Sequence, residues 1–169
     1  MPEHESRLNR QGLRLHSLLR RLTAAGVDFV IVGGVAVVLQ ASPRFTRDLD
    51  ICYATTHDNL ERLGGVLVDL GAMLRGVEED LPFSPDARTL RRTQTLTLTT
   101  SEGDIDLLVD PDGSPDYATL RQRADRMELD DLTVAVAAIE DLIAMKRAAG
   151  RPQDLVDLEA LEIARRRRG

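Results

Sequence analysis

The feature that most constrains the fold is a pair of short segments in which aspartate alternates with an aliphatic residue. They are the Asp-Leu-Asp-Ile run at residues 48–51 and the Asp-Ile-Asp-Leu run at residues 104–107. Alternation with a period of two predicts β-strands that carry the carboxylates on one face and the aliphatic side chains on the other. Burying carboxylates on a sheet face is costly unless they are paired or bind a cation. We therefore expect two strands that present acidic groups to a shared site.

Two acidic residues separated by one other residue are weak evidence of a site in a chain that contains so many acidic residues. The 28 acidic residues form eight such pairs, against about five expected by chance, so the strand context has to select among them. Carboxylates on strands are rigid, which suits Mg²⁺, a cation that takes octahedral oxygen ligands at about 2.0–2.1 Å and shares them with substrate phosphates. Two such cations can stabilise the attacking and leaving oxygens of an in-line displacement. The candidate metal ligands are Asp48 and Asp50, with a third from Asp104 or Asp106.

A second feature, a glycine pair, lies between a predicted strand and a predicted helix. Phe29–Val32 is a short apolar run typical of a buried strand, and a short helix is expected from Val35 to Gln40. Gly33 and Gly34 join them, and without side chains their backbone can approach a triphosphate at the positive end of the helix. The chain lacks the Lys-Ser/Thr of a P-loop and the spaced glycines of a dinucleotide fold, which excludes those two sites.

The remaining patterns predict an α+β protein with one domain, residues 1–169. Its core is expected at about residues 27–136 and its C-terminal helices at about residues 139–167. Residues 71–92 are expected to be mostly loop, because they show poor periodicity and contain two prolines. The expected helices cover residues 8–22, 56–70, 114–123, 139–149 and 153–166, and the further strands cover residues 48–53, 95–100, 104–109 and 132–136.

Composition excludes several classes of function. Aromatic residues make up 3% of the chain, which argues against a protein that stacks single-stranded bases on aromatic rings. The net charge of −6 provides no basic field over the whole molecule, although arginines cluster locally at residues 88–92 and 165–168. A single cysteine, Cys52, excludes an internal disulfide framework and is expected to be a small buried hydrophobic residue. A polar N-terminus and the lack of a long apolar run predict a cytoplasmic protein with no membrane partner.

The segment IVGGVAVVLQASPRFTRDLDI, residues 31–51, resembles the signature of the nucleotidyltransferase superfamily related to DNA polymerase β. That signature is Gly-Gly or Gly-Ser, about a dozen residues, and then Asp-apolar-Asp-apolar, which here places Asp48 and Asp50 in the second part. A third aspartate on a later strand completes the metal site of the superfamily. The resemblance favours Asp106 for this position, with Asp104 as its competitor.

The C-terminal residues 140–161 are similar to the Lys…Arg…Asp…Asp stretch of the AbiEii-like toxins, which include the mycobacterial MenT group. Lys146, Arg151, Asp154 and Asp157 fall on that stretch. The chain differs from these toxins in two respects. The toxins often have Gly-Ser in place of Gly33-Gly34, and many of them carry a longer helical C-terminal region.

The resemblance implies a mixed β-sheet flanked by helices, with a C-terminal helical segment. It also implies transfer of a nucleoside monophosphate from an NTP, with Mg²⁺ as the cofactor and Mn²⁺ as an alternative. In the toxin branch the acceptor is the 3′ end of tRNA, and a cognate antitoxin is encoded nearby. Other acceptors, a small molecule such as an aminoglycoside or a protein hydroxyl, remain open, as does an inactive nucleotide-binding relative.

The resemblance also implies roles for individual residues. Asp48 and Asp50 would bind the metal, and Asp106 would complete the site and take the proton from the attacking hydroxyl. Lys146 is expected to reach the triphosphate as a mobile charge and Arg151 to contact it through two hydrogen bonds. The expected nucleotide-binding residues are Gly33, Gly34, Arg47, Lys146, Arg151 and Asp154, and the expected catalytic residues are Asp48, Asp50, Asp106 and Lys146.

Overall fold

The computed structural model describes residues 13–77 and 82–169, and the strands within these residues form one mixed sheet. The strands are β1 (Phe29–Val32), β2 (Asp48–Tyr53), β3 (Met73–Leu74), β4 (Thr95–Thr100), β5 (Gly103–Leu108), β6 (Asp125–Leu129) and β7 (Leu132–Val136). Their order across the sheet is β3-β4-β5-β2-β1-β7-β6. The β2–β5 and β1–β7 pairs are parallel and the other neighbours are antiparallel. The expected α+β class with a mixed sheet is confirmed.

Seven helices accompany the sheet in the described residues. They are α1 (Leu15–Ala24), α2 (Gly33–Gln40), α3 (His57–Asp69), α4 (Ala87–Arg91), α5 (Tyr117–Arg123), α6 (Ile139–Ala149) and α7 (Pro152–Arg168). The leucines that recur at helical spacing in α1 are buried. The helix is followed by Gly26, which has a positive φ of 73°. Leu8, where this helix was expected to begin, lies outside the described residues. None of the helices in the described part is long and apolar enough to cross a membrane.

The two acidic segments lie side by side at the centre of the sheet. In the parallel pair of β2 and β5, Asp48 is opposite Asp104 and Asp50 is opposite Asp106. The aliphatic residues between them, such as Leu49 and Ile105, are fully buried in the core, and this fixes the register because a slip of one residue would bury the aspartates instead. All four carboxylates therefore lie on the opposite face of the same two strands.

The glycine pair is brought to the same place by β1. This strand runs antiparallel to β2, and its last residue, Val32, is opposite Asp50. The chain then turns directly into α2 at Gly33, one residue after the strand ends. The expected order of strand, glycine pair and helix is therefore confirmed beside the acidic strands, but the helix begins at Gly33, two residues earlier than expected.

The expected loop at residues 71–92 is partly wrong. It contains the two-residue strand β3, which pairs with β4, and the short helix α4, whose first turn is capped by Asp86 through a hydrogen bond from the Thr89 backbone N–H. A strand of two residues has no detectable period, and its position depends on a neighbour that follows more than twenty residues later. The edge strand β6 was also not expected, since charged residues are interspersed along it.

The helix expected to begin at Ser114-Pro115 instead begins at Tyr117. Asp116 caps it by accepting a hydrogen bond from the Thr119 backbone N–H, while the Ser114 hydroxyl donates to the Pro115 carbonyl. The aspartate is the better-placed cap because its carboxylate reaches the free N–H groups of the first turn. The C-terminal helices are confirmed: α6 ends at Gly150 in the left-handed conformation, and α7 begins with Pro152 at its first position.

Candidate active site

Three aspartates on the central strands converge on one point. One carboxylate oxygen from each of Asp48, Asp50 and Asp106 lies within 4.8 Å of the other two. Asp104, the competitor for the third position, has other partners: its Oδ1 accepts a hydrogen bond of 3.0 Å from the Thr99 hydroxyl. Oxygen donors at this spacing on rigid strands fit a hard divalent cation such as Mg²⁺.

The electrostatics of this acid cluster, Asp48, Asp50 and Asp106, also fit a bound cation. Burial and the neighbouring charge of Asp106 raise the pKa of Asp48, and the same two causes raise the pKa of Asp50 to about 8. Like charges that share a site disfavour each other's ionised form, and a divalent cation reverses that preference. The acid cluster is therefore strained as three free anions and suited to a cation.

Arg75, which the sequence did not indicate, lies against the acid cluster. Its Nη2 donates a hydrogen bond of 2.8 Å to Asp106 Oδ1, and its Nη1 lies 3.6 Å from Asp48 Oδ2. Its Nε lies 3.2 Å from Asp104 Oδ2 without hydrogen-bond geometry. Arg75 directly follows β3 in a region expected to be loop, and no local pattern distinguishes it from the other arginines.

Both glycines of the turn are closely packed, but only Gly33 also has a backbone conformation that favours glycine. Gly33 has a positive φ of 66°, and a β-carbon there would overlap the Asp50 carboxylate. A β-carbon on Gly34 would lie 2.8 Å from both Arg44 Nη2 and Thr46 Oγ1. A side chain at residue 33 would therefore not fit against the acid cluster, and one at residue 34 would displace the Arg44 and Thr46 side chains.

Lys146 is held in place, in contrast to the mobile charge expected from the sequence. The residue is 7% exposed, and its Nζ lies 3.0 Å from Asp154 Oδ1 and 2.9 Å from Asp157 Oδ2. Both aspartates are on α7, and both are buried. The ammonium is nevertheless close enough to Asp50 to oppose the rise in the pKa of that carboxyl. It acts as a fixed positive charge in the wall of the site.

Asp154 is fully buried and pairs with both Lys146 and Arg151. Its Oδ2 accepts hydrogen bonds from the backbone N–H and the Nε of Arg151, at 3.0 and 2.9 Å. Burial opposes its ionisation, but the hydrogen bonds from Arg151 and Lys146 outweigh that and lower the pKa of Asp154 to about 2. Its oxygens are engaged with protein donors, so the structure gives it a supporting position in place of the expected direct contact with nucleotide.

Asp157 ties α7 to the segment that precedes β2. Arg44 Nε and Nη2 donate to its two oxygens at 2.8 and 3.0 Å, a bidentate pair, and Arg44 Nη1 donates to the Phe45 carbonyl at 2.8 Å. Sequence reasoning missed Arg44, although its position four residues before the first aspartate of β2 was an available signal. The sequence also predicted no role for Asp157, because acidic residues are common near the start of a helix whether or not they contact a site.

The two remaining cations predicted from the sequence are exposed at the rim. The side chain of Arg151 is 73% exposed while its Nε contacts Asp154. Arg47 is exposed, and its guanidinium carbon lies 5.8 Å from the centre of the Phe45 ring.

Cys52, on the acidic face of β2, is buried, as expected of a small hydrophobic residue. Burial raises the pKa of its thiol to about 12.

Two adjoining cavities of about 380 and 570 Å³ open over these residues. Both are lined by Asp50, Lys146 and Arg151. The smaller also reaches Gly33, and the larger reaches Asp106. Cavities of this size hold small ligands, and here anionic and cationic groups face the same space. The structure thus brings together every residue expected at the site.

The fold and this arrangement of groups are those of a nucleotidyltransferase. The model of the nucleotidyl transferase AbiEii toxin family, of the type IV toxin–antitoxin systems, matches residues 17–163. Because the match covers most of the chain, the protein belongs to the AbiEii nucleotidyltransferase family. The resemblance read from the sequence is confirmed.

Solved structures agree on the fold. The lincosamide antibiotic adenylyltransferase LnuA, in its lincomycin-bound crystal structure, is similar with a TM-score of 0.60 and 18% identity over 88% of this chain and 94% of that one. ANT(2")-Ia in complex with adenylyl-2"-tobramycin is similar with a TM-score of 0.54 and 17% identity, over 92% of this chain and 87% of that one. Among curated protein sequences, none matches the chain.

Replacement of Gly33 by alanine should destabilise the fold and disrupt the acid cluster. The left-handed backbone and the overlap with Asp50 together should lower the free energy of unfolding by about 1–3 kcal/mol. Gly65→Ala in α3, where the added methyl meets open space, is the matched control and should be neutral or stabilising. Urea unfolding measures both, and a Gly33→Ala protein as stable as the wild type would contradict the packing described for the turn.

The metal-free protein should lose stability as the pH rises from about 5 to about 8. The pKa of Asp50 is raised to about 8 in the folded state, so over this range the folded carboxyl keeps a proton that the unfolded one has lost. The loss should level off above pH 8. Urea unfolding in EDTA measures it, and Asp50→Asn should flatten the dependence; an equally steep slope in that variant would show that Asp50 is not its source.

Proposed function

We propose that the protein transfers a nucleoside monophosphate from an NTP to the 3′ end of tRNA, with release of pyrophosphate, as the toxin of a toxin–antitoxin pair. The observation that carries the chemistry is the convergence of Asp48, Asp50 and Asp106 beside the Gly33 turn. The tRNA acceptor follows from the resemblance to the toxin branch that includes the MenT group. An antitoxin protein is accordingly the expected partner.

Asp48 and Asp50 bind Mg²⁺, or Mn²⁺ in its place, together with the phosphates of the NTP. The cation supplies Lewis-acid stabilisation of the charge that develops on the phosphate oxygens. Support for this role comes from the raised pKa of both carboxyls, which a divalent cation offsets, and from their position on a rigid central strand. Among the residues that the structure describes, no arginine lies as close to Asp48 or Asp50 as Arg75 lies to Asp106.

Asp106 receives the proton of the attacking hydroxyl. The hydroxyl oxygen bonds to the α-phosphorus, the bond from that phosphorus to the bridging oxygen breaks, and pyrophosphate leaves with the electron pair. A base for this step needs hydrogen-bond reach and a held orientation. Asp106 lies opposite Asp50 in the register and is fixed by a hydrogen bond from Arg75, which supports the assignment.

The phosphates lie between the glycine turn and the cations of the C-terminal helices. The N-terminus of α2, which begins at Gly33 and has no side-chain cap, offers free backbone N–H groups that would bind the anion. Arg151 and Arg47, both exposed at the rim, contribute hydrogen bonds to phosphate. Lys146 contributes a fixed charge, with Asp154 and Asp157 holding it in position.

Arginines at the two ends of α7 support an extended anionic acceptor. This helix begins at the larger cavity, which Gln153 lines, and ends at a separate cavity of about 420 Å³ lined by Arg167 and Arg168. Its 17 residues span about 25 Å. A strand of RNA that enters the site along this helix would meet arginines at both ends, although the chain carries a net charge of −6.

A small cationic molecule is the alternative acceptor, with a protein hydroxyl as a further one. The acidic balance of the chain favours a small cation, and the larger cavity is open and lined by several aspartates. The similar structures of LnuA and ANT(2")-Ia come from enzymes that contact or modify antibiotics, which makes this the acceptor class to compare with tRNA.

Incubation with Mg²⁺ and each labelled NTP, with and without total tRNA, tests the proposal. Label should move to tRNA with release of pyrophosphate, and Asp48→Asn should reduce transfer by about 10²–10³-fold because a cation ligand is lost. Asp69→Asn, an exposed acid on α3, is the control and should leave transfer unchanged. Transfer of label only to a small molecule or to protein would show that the acceptor is not tRNA. Full activity of Asp48→Asn would contradict the metal site.

Arg167→Gln should weaken tRNA use without affecting the NTP. We expect the KM for tRNA to rise about 3–10-fold and the salt dependence of that KM to become less steep, since one phosphate contact is lost. The exposed Arg21→Gln on α1 serves as the control. Equal effects of the two variants would contradict the proposed RNA path along α7, but they would not contradict the proposed catalytic site.

A further inference from the structure

Arg75 is anchored to the sheet in a way that fixes its guanidinium. Its backbone N–H donates to the Thr97 carbonyl at 3.0 Å, which continues the pairing of β3 with β4. Its Nη2 donates to the Leu98 carbonyl at 2.9 Å as well as to Asp106. The side chain therefore reaches across β4 to the acidic face of β5 and β2 with little freedom to move.

The first consequence is geometric. One guanidinium nitrogen joins a main-chain carbonyl to Asp106 Oδ1, so the orientation of that carboxylate is set by the sheet itself. A lysine at this position would keep the charge, but its flexible stem and rotatable ammonium would not fix the direction of these two hydrogen bonds as the rigid planar guanidinium does. The orientation of Asp106 therefore depends on an arginine.

The second consequence is electrostatic. Arg75 makes ion-pair contacts with Asp48, Asp104 and Asp106, three of the four aspartates on this face. Its single positive charge lies 2.8–3.6 Å from their oxygens, and it opposes the rise in the pKa of Asp48. A fixed cation so close to the ligands lowers the affinity of the same oxygens for a second cation.

We infer that Arg75 is a positioning residue of this site: its fork orients Asp106 for proton transfer, and its charge sets the affinity of the acid cluster for a divalent cation. The inference rests on the proposed cation site. The two effects are separable, because the strands hold the ligand oxygens in place for binding while proton transfer depends on the finer orientation of one carboxylate.

Two variants separate charge from geometry. Arg75→Gln removes both the charge and the fork, whereas Arg75→Lys removes only the fork. The dissociation constant for Mn²⁺ is measured without nucleotide by electron paramagnetic resonance, and kcat is measured by pyrophosphate release with the acceptor that supports wild-type turnover. Arg20→Gln is the matched control, because Arg20 is an exposed arginine whose Nη2 donates to both carboxylate oxygens of Asp131, away from the site.

We expect Arg75→Gln to bind Mn²⁺ about tenfold more tightly and Arg75→Lys to bind it as the wild type does. Both variants should lose about 10–100-fold in kcat with little change in the KM for NTP. Unchanged Mn²⁺ affinity in Arg75→Gln, or wild-type kcat in Arg75→Lys, would overturn the inference. Weaker Mn²⁺ binding in both variants would also overturn it, since Arg75 would then be a structural support. Wild-type protein that binds no Mn²⁺ would instead contradict the proposed cation site.

Discussion

The repulsion between aspartates on two adjacent parallel strands is the constraint on which the rest of this structure depends. The register places Asp48 and Asp50 against Asp104 and Asp106, and the buried aliphatic residues between them prevent any other register. Four ionised carboxylates on one face need compensation, and in its absence Asp50 keeps a proton up to a pH of about 8. Arg75 supplies part of it and Lys146 supplies part at a greater distance, and we propose that a divalent cation supplies the remainder.

The surroundings of the acid cluster are held by buried ion pairs that join distant parts of the chain. Asp157 binds both Lys146 of α6 and Arg44 of the segment before β2, so α7 is tied to two walls of the site at once. Breaking a buried pair leaves a charge without a partner, which costs far more than losing a surface pair. These contacts therefore set the position of the fixed charge beside Asp50, and they explain why the C-terminal helices belong to the site.

The sequence predicted the parts of the site that follow from local periodicity. Alternation identified the acidic strands, and the position of Gly33 between an apolar run and a helix identified the turn. Arg75 and Arg44 could not be predicted, because their roles arise from partners 31 and 113 residues away along the chain. Lys146 was misjudged as mobile for the same reason: its partners are on the next helix, and their burial depends on packing that no spacing reveals.

The shared cation site is tested most sharply by a crystal structure with Mn²⁺ and a non-hydrolysable NTP analogue, in which anomalous scattering locates the cation. We predict an anomalous peak within bonding distance of Asp48 and Asp50, next to Asp106, with the triphosphate against the Gly33-Gly34 turn. A cation bound elsewhere, or a triphosphate away from the glycine turn with the acid cluster still paired only to Arg75, would contradict this prediction.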